Sequence, residues 1–283
     1  MREGGVRMQK YLARNWGKLL TYFFLLLGVY IMVVPFAWMI FTSFKTYSEA
    51  MQVPIKWLPE TLNLENYRKI LSMNIGRYYV NTIIVTIAIT IAQLITASMA
   101  AYAFARIDFP FKNALFALVL CMLMIPSQMT LIPKYAMCNN LGLTNSLWGI
   151  IVPNMFSVTV TFFLRQSFLT LPTELEDAAR IDGCSHLRIY LKIALPLSTS
   201  ILVAMGILTV LYAWNDLLWP IIVTSSDKSR VLSVFIAAIK GEHNNKLPLL
   251  MAGGTLSVMP MIVCFILGQK YFVTAITMTG LKD

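Results

Sequence analysis

Long apolar runs separated by shorter polar ones set the pattern of this chain. A helix needs about 20 apolar residues to cross the roughly 30 Å hydrocarbon core of a bilayer. Six stretches qualify: Leu19 to Phe41, Tyr79 to Ala103, Ala114 to Ile132, Leu147 to Leu164, Thr199 to Val223 and Leu249 to Phe272. Pro153, Asn154 and Ser157 interrupt the fourth. Helix is the required conformation, because lipid offers no partner to an open backbone group. The pattern therefore predicts an all-α, polytopic membrane protein with six transmembrane helices. After the first span, Pro54 and Pro59 mark a turn, and Leu64 to Leu71 reads as a short amphipathic helix. After the fifth, the apolar stretch Val231 to Ile239 lies between charged ends and reads as a re-entrant or interfacial helix. Ala88 with Ala92, Ala97 with Ala101 and Gly253 with Ser257 recur at helical spacing, which lets helices approach closely.

The polar segment between the fourth and fifth spans, Thr173 to Pro196, has its own punctuation. Thr173 followed by Glu176 is the pattern of a capping box, with Pro172 before it. Glu174, Glu176 and Asp177 fall in the first turn, where the helix dipole favours negative charge. Gly183 is a natural C-terminal stop, since it tolerates the left-handed conformation. The spacing predicts a helix from about Glu174 to Asp182, with Leu175, Ala178, Ala179 and Asp182 on one face. Two alanines there would leave a smooth surface for a partner. Ser185 is placed to cap a second helix, whose apolar stripe is Leu187, Tyr190, Leu191, Ala194 and Leu195 and which ends near Pro196. The arrangement is a knob, a glycine pivot and a rod fused to the fifth span.

Composition agrees with a membrane setting. Of 283 residues 58% are hydrophobic and 13% charged, against about 25% charged in soluble domains. The net charge of +10 suits anionic lipid headgroups. A nucleic-acid partner would require that charge on one soluble face, and Lys and Arg are scattered over the loops instead. Arg2, Arg7, Lys10, Arg14 and Lys18 precede the first span, which favours a cytoplasmic N-terminus. With six spans the C-terminus is then also cytoplasmic, and so is the Thr173 to Pro196 loop. The segment 1–18 reads as a cytoplasmic leader to a retained anchor, because the apolar run after it is too long for a signal-peptide core. Residues 19–283 read as one six-span domain.

Candidate chemistry inside the spans is sparse. Asp216 is the sole carboxylate within an apolar span. A charge there marks function or, near the interface, anchoring beside an aromatic belt of Tyr212, Trp214 and Trp219. Trp214, Asn215 and Asp216 would suit a sugar, whose hydroxyls take polar partners and whose apolar faces stack on rings. Asn81 and Asn154 are candidates for pathway lining or for interhelical hydrogen bonds. Cys121, Cys138, Cys184 and Cys264 form no CxxC pair, and Cys121 and Cys264 read as buried small hydrophobes. His186 and His243 lie too far apart in the topology to share a metal. No nucleophile with a base and no paired acids stand out. The one Gly-Lys, Gly17-Lys18, has Leu12 and Leu19 where a P-loop needs Gly and Ser or Thr.

The run Asp177-Ala178-Ala179-x-x-Asp182-Gly183, then nine residues, then Ile193-x-Leu195-Pro196, resembles the EAA loop of permease subunits in ATP-binding-cassette importers. The likeness extends along the chain to the second permease of carbohydrate importers of the maltose-transporter type. It runs through Lys56-Trp57-Leu58-Pro59, Leu64-Glu65-Asn66-Tyr67, Ala100 to Arg106, Ile125-Pro126, Leu131-Ile132-Pro133, Leu141-Gly142-Leu143, Trp214 to Pro220 and the tail Thr277 to Lys282. Asp177 stands where the loop's name has Glu, and the tail departs from the usual Ala-Gly-Ala-Val-Lys form. The resemblance implies a type I importer permease fold in a bacterial inner membrane. It implies a coupling helix carried by Glu174, Asp177, Ala178, Ala179, Asp182 and Gly183 that docks on an ATPase. The implied partners are a homologous permease, two ATPase subunits that hold ATP and Mg, and an extracytoplasmic binding protein that delivers a carbohydrate. This chain itself would bind no cofactor and catalyse no reaction. An ion-coupled secondary transporter using Asp216 is the alternative, but it would need more titratable groups within the spans. A membrane enzyme would need a catalytic set that the sequence lacks.

Overall fold

The computed structural model describes the backbone of residues 3–242 and 246–280, and no side chain within 1–16, 19, 241–245 and 270–283. Arg2, His243 and Lys282 thus lie outside the described residues, as do the side chains of Arg7, Lys10, Arg14 and the tail from Thr277. Among the described residues every regular element is helical. In chain order they are α1 (Glu3–Ser43), α2 (Tyr47–Ala50), α3 (Glu65–Ser72), α4 (Ile75–Arg106), α5 (Lys112–Cys121), α6 (Leu131–Asn140), α7 (Leu147–Ile151) and α8 (Val158–Leu169). Then come α9 (Thr173–Ile181), α10 (His186–Ile189), α11 (Leu195–Leu197), α12 (Thr199–Asn215), α13 (Leu218–Val223), α14 (Leu232–Glu242) and α15 (Leu247–Gly280). Single-turn 3₁₀ pieces and one π-helical turn, Tyr190–Ala194, join some of them.

Among the described residues, four segments are long and apolar enough to cross a membrane singly: Leu20–Ser43, Ile75–Arg106, Leu147–Leu169 and Leu247–Gln269. Among the described residues, two bent pairs bring the number to six when each pair is taken as one span. The third span is not the straight helix expected over Ala114 to Ile132, since Lys112–Met124 and Ser127–Asn140 meet at 96°. Pro126 causes the break, because the residue before a proline is driven out of the helical region, and Ile125 is extended at φ −86, ψ 118. The fifth span starts at Thr199 as expected and is corrected only at its far end. His186–Leu197 meets Thr199–Asn215 at 79°, and the helix expected to reach Val223 stops at Asn215, where Asp216 is extended at φ −64, ψ 122.

Contacts group the chain into two units, residues 1–72 with 242–256 and residues 73–241 with 257–283. In the first, the loop after α1 is tied to the end of that helix. Asn66 donates from its side-chain amide to the carbonyls of Ser43 (2.9 Å) and Lys45 (3.0 Å), and the Ser43 and Tyr67 hydroxyls bond at 2.7 Å. Lys45 is buried, donates to the Lys56 carbonyl and lies 4.6 Å from the Trp38 ring centroid, while Trp57 packs edge-on against Trp38. The helix expected at Leu64 to Leu71 forms as α3.

The second unit is built on α4. Ala97, Ala101, Tyr102 and Ala105 of α4 pack against Val160, Leu164 and Phe168 of α8 and Ala204 and Met205 of α12. Ala97 and Ala101 have no exposed surface, as the small-residue spacing predicts. The other side of α4, with Ile83, Ile87, Ile91 and Ile95, is exposed and apolar. The stretch Val231 to Ile239 lies largely in α14, which packs on α4. Phe235 stacks on Tyr78 at 4.5 Å, and the Thr82 hydroxyl accepts from the Leu232 N–H at 2.8 Å. Cys121 and Cys264 are exposed, not buried, because they lie on outward faces of their helices; Cys138 is the buried cysteine.

Ala101→Leu adds a branched side chain where none fits. It is expected to lower stability by about 1–3 kcal/mol, the usual cost of overpacking, read as earlier thermal unfolding of the detergent-purified chain. The exposed Ile87→Leu should leave the transition unchanged.

Candidate coupling site

The helix expected between Glu174 and Asp182 forms as α9, and its end is closed by Gly183 at φ +77. The Gly183 N–H donates to the Arg180 carbonyl (3.0 Å) and the Cys184 N–H to the Ala179 carbonyl (2.9 Å). That pair of bonds is a Schellman motif, which needs a left-handed residue at this position. The N-terminus differs from expectation. Thr173 is already helical, Pro172 occupies the cap position, and no side chain caps the helix. The capping box does not form because Glu176 is turned the other way, into the protein.

Glu176 has a side chain only 4% exposed. Its Oε1 lies 3.2 Å from Arg106 Nε, and its Oε2 lies 3.7 Å from Arg180 Nη2. Arg106, also buried, donates from Nη2 to the carbonyl of Leu171, just before α9. A buried ion pair contributes little net stability, but removing one partner strands a charge at a cost of about 3–5 kcal/mol. The sequence reading missed Glu176 as a buried anchor because a glutamate on an amphipathic helix is normally assigned to water.

This anchoring rotates α9 and divides the face expected to be shared. Ala179 turns inward into the cluster with Tyr102, Phe168 and Ile189. Leu175, Ala178 and Asp182 face outward together with Glu174 and Asp177. Ile181 is 87% exposed and forms an apolar tip that the sequence reading also missed. Asp177 pairs with Arg180 at 3.2 Å on the surface. The second helix departs from its expected stripe for a related reason. Ser185 sits at the cap position of α10 without a side-chain bond. The π turn that follows carries Leu195 N–H to Tyr190 O, so Ile189, Tyr190 and Ala194 are buried while Leu187 and Leu191 stay exposed. The Tyr190 hydroxyl bonds that of Ser98 on α4 at 2.7 Å, and its ring lies 5.3 Å from that of Tyr102.

The membrane candidates form no single site. Asn81 is buried, and its amide donates to the carbonyls of Lys228 (2.9 Å) and Arg230 (2.8 Å), a packing role. Trp214 and Trp219 are buried, so they build no belt with the exposed Tyr212. Trp214 donates to the Ser257 carbonyl at 3.2 Å and Trp219 to that of Gly149 at 3.0 Å. Asn154 accepts from Lys134 Nζ at 3.0 Å, and Lys134 also lies 4.2 Å from the Trp219 ring centroid, where Asp216 attracts it. Gln93 of α4 donates to the Asn154 carbonyl at 2.8 Å. Asn215 and Asp216 line an open hollow of about 640 Å³ with Tyr212 and Leu218. No cluster of His, Cys, Asp and Glu fit to hold a metal occurs among the described residues.

Residues 93–278 match the family of binding-protein-dependent transport system inner membrane components. The chain is 36% identical to the arabinooligosaccharides transport system permease protein AraQ of Halalkalibacterium halodurans over 258 residues, covering 89% of this chain and 92% of that one. It is 30% identical to the sn-glycerol-3-phosphate transport system permease protein UgpE of Brucella abortus, covering 94% and 98%. Its fold is similar to that of a chain of a bacterial ABC transporter involved in the import of the acidic polysaccharide alginate, with a TM-score of 0.81 at 20% identity over 92% of this chain and 97% of the other. A second alginate transporter structure, in complex with an alginate pentasaccharide-bound periplasmic protein, aligns with a TM-score of 0.67 at 12% identity over 93% and 96%.

Nothing lies within 4 Å of a Cβ built on Gly183, so a substitution there meets only the backbone cost of a left-handed residue. Gly183→Ala is expected to weaken the α9 cap by about 1–2 kcal/mol, read as faster proteolysis of the 173–196 loop in the folded protein. Gly183→Asn should be cut less readily than Gly183→Ala, because Asn tolerates this conformation.

Proposed function

We infer from the family to which this chain belongs, the binding-protein-dependent transport system inner membrane components, that it is one permease subunit of an ATP-driven importer and that its cargo is a carbohydrate. A second permease completes the pathway, two ATPase subunits work beneath it, and an extracytoplasmic binding protein delivers the solute. ATP and Mg belong to the ATPase; this chain is a transport subunit, not an enzyme. The carbohydrate assignment is supported by relatives whose names specify arabinooligosaccharides and by the alginate importers that share the fold. The glycerol-3-phosphate relatives extend the class to small polyol phosphates.

One observation carries the coupling role: a rigid, Schellman-capped helix that presents Leu175, Ala178 and Ile181 outward while Glu176 and Ala179 root it in the core. Residues on exposed loops that still hold fixed geometry are suited to docking. In this reading Glu174, Asp177, Ala178, Asp182 and Gly183 belong to the docking element, with Ile181 as its tip and Ala179 as its root. ATP draws the two ATPases together, the coupling helices follow, and the permeases rock from inward-facing to outward-facing. Hydrolysis resets them. For the pathway, the polar group Lys134, Asn154 and Asp216, with Asn215 at the adjoining hollow, offers donors and acceptors of the kind sugar hydroxyls require. Asp216 has Lys134 as an electrostatic neighbour, and the match to a binding-protein-dependent family favours the importer over an ion-coupled reading.

A candidate importer ATPase co-expressed with this chain and its partner permease should co-purify with the wild-type complex. It should be lost when Ala178→Arg and Ile181→Arg are introduced together, since both positions are exposed and neither change disturbs the core. Unchanged retention would remove α9 as the contact. Failure of the wild-type complex to retain any ATPase would overturn the importer reading.

A further inference from the structure

The loop has two physical routes into the membrane, and they differ in stiffness. The covalent route leads from α9 through Gly183 and α10–α11 to α12. It is articulated twice, at a left-handed glycine with open space around it and at the 79° bend near Ser198. The second route is non-covalent and leads to the end of α4. Arg106, the last residue of α4, holds the Glu176 carboxylate and the Leu171 carbonyl together, so it grips α9 and the chain entering α9 at once. Arg180 closes on the other carboxylate oxygen. Behind Arg106, Tyr102 packs against Phe168 and Tyr190, and Ser98 bonds Tyr190. α4 itself is a continuous helix of 32 residues with no proline.

We propose that Arg106 is the positioning residue that passes the coupling stroke from α9 to α4, making the second span, rather than the fifth alone, the driven element. The proposal rests on the permease reading above. The 3.2 Å charge contact between Arg106 Nε and Glu176 Oε1 does not have hydrogen-bond geometry, but the bond from Arg106 Nη2 to the Leu171 carbonyl is directional, and the two together hold the start of α9 on the end of α4. An apolar contact of the same area is non-directional and lets the helices slide. The pair is otherwise a poor investment in stability, so its burial asks for a mechanical explanation.

The test uses the whole complex, purified through this chain with its native cysteines replaced by alanine and a spin label at Val80→Cys. Val80 is an exposed residue of α4 roughly 39 Å from Arg106 at 1.5 Å per helical residue. In the wild type, ATP and Mg should change the label's mobility. Arg106→Met with Glu176→Leu replaces the pair by apolar side chains of similar volume, and Glu176→Gln keeps the shape and removes the charge. The ATPase should still co-purify and hydrolyse ATP in whichever of these assembles, while the label's response falls at least about fivefold, within the ordinary range of coupling between sites. A wild-type response in either assembled variant overturns the proposal. Retained hydrolysis with a lost response separates transmission from folding. An ATPase absent even from the wild-type complex would instead be a failure of the importer reading.

Discussion

Ala97 and Ala101 present nothing beyond a methyl group to the helices beside them, and the arrangement of the second unit follows from that closeness. In lipid there is no hydrophobic drive between one span and another, so helices hold together by close contact and by hydrogen bonds that lipid cannot replace. α4 supplies both. Its alanines admit α8 and α12, and its polar residues on the same side reach across to them. The Gln93 amide takes the Asn154 carbonyl and the Thr96 hydroxyl the Met155 carbonyl at 2.8 Å. Both carbonyls belong to the interrupted stretch between α7 and α8, where the helical ladder fails. The break in the fourth span is thus tolerated because the neighbouring helix satisfies it.

The same logic explains where the polar residues of the spans went. Asn81, Trp214 and Trp219 each meet a backbone carbonyl in an irregular or adjoining segment. Asn145, a left-handed residue at φ 56, gathers the N–H groups of Ser225 and Ser226 and the Ser229 hydroxyl on its one side-chain oxygen. The outer loops are held to the bundle by such single amides. Asn154 and Asn215 follow the same rule, their amides donating to the carbonyls of Ile150 (2.9 Å) and Leu211 (2.8 Å).

Much of this was legible in the sequence, and the misses have physical causes. Span number and place follow from hydropathy over 20 residues. The breaks at Ile125 and Asp216 do not, because an average over that length is insensitive to one extended residue, although Pro126 signalled the first. The bounds of α9 were readable from Gly183, since few other residues close a helix in that way. Its faces were not. Leu175, Ala178 and Ala179 fall within one arc, and which edge of the arc is buried depends on a partner 70 positions earlier, Arg106, that draws Glu176 inward. No local pattern holds that information. The tryptophans failed similarly: an amphipathic ring suits a membrane interface or a buried carbonyl equally well, and only tertiary contact decides.

The π turn at Tyr190–Ala194 carries a consequence of a different kind. A π turn holds one residue more than its α counterpart, and one residue is worth about 100° of rotation on an ordinary helix. The wide turn thereby sets the azimuth at which everything after it arrives, including the Ala204 and Met205 surface that meets α4. Adding or dropping a single residue between Gly183 and Pro196 would turn the fifth span away from its seat. The length of that stretch is therefore a structural constraint in its own right, beside the buried side chains of Ile189, Tyr190 and Ala194.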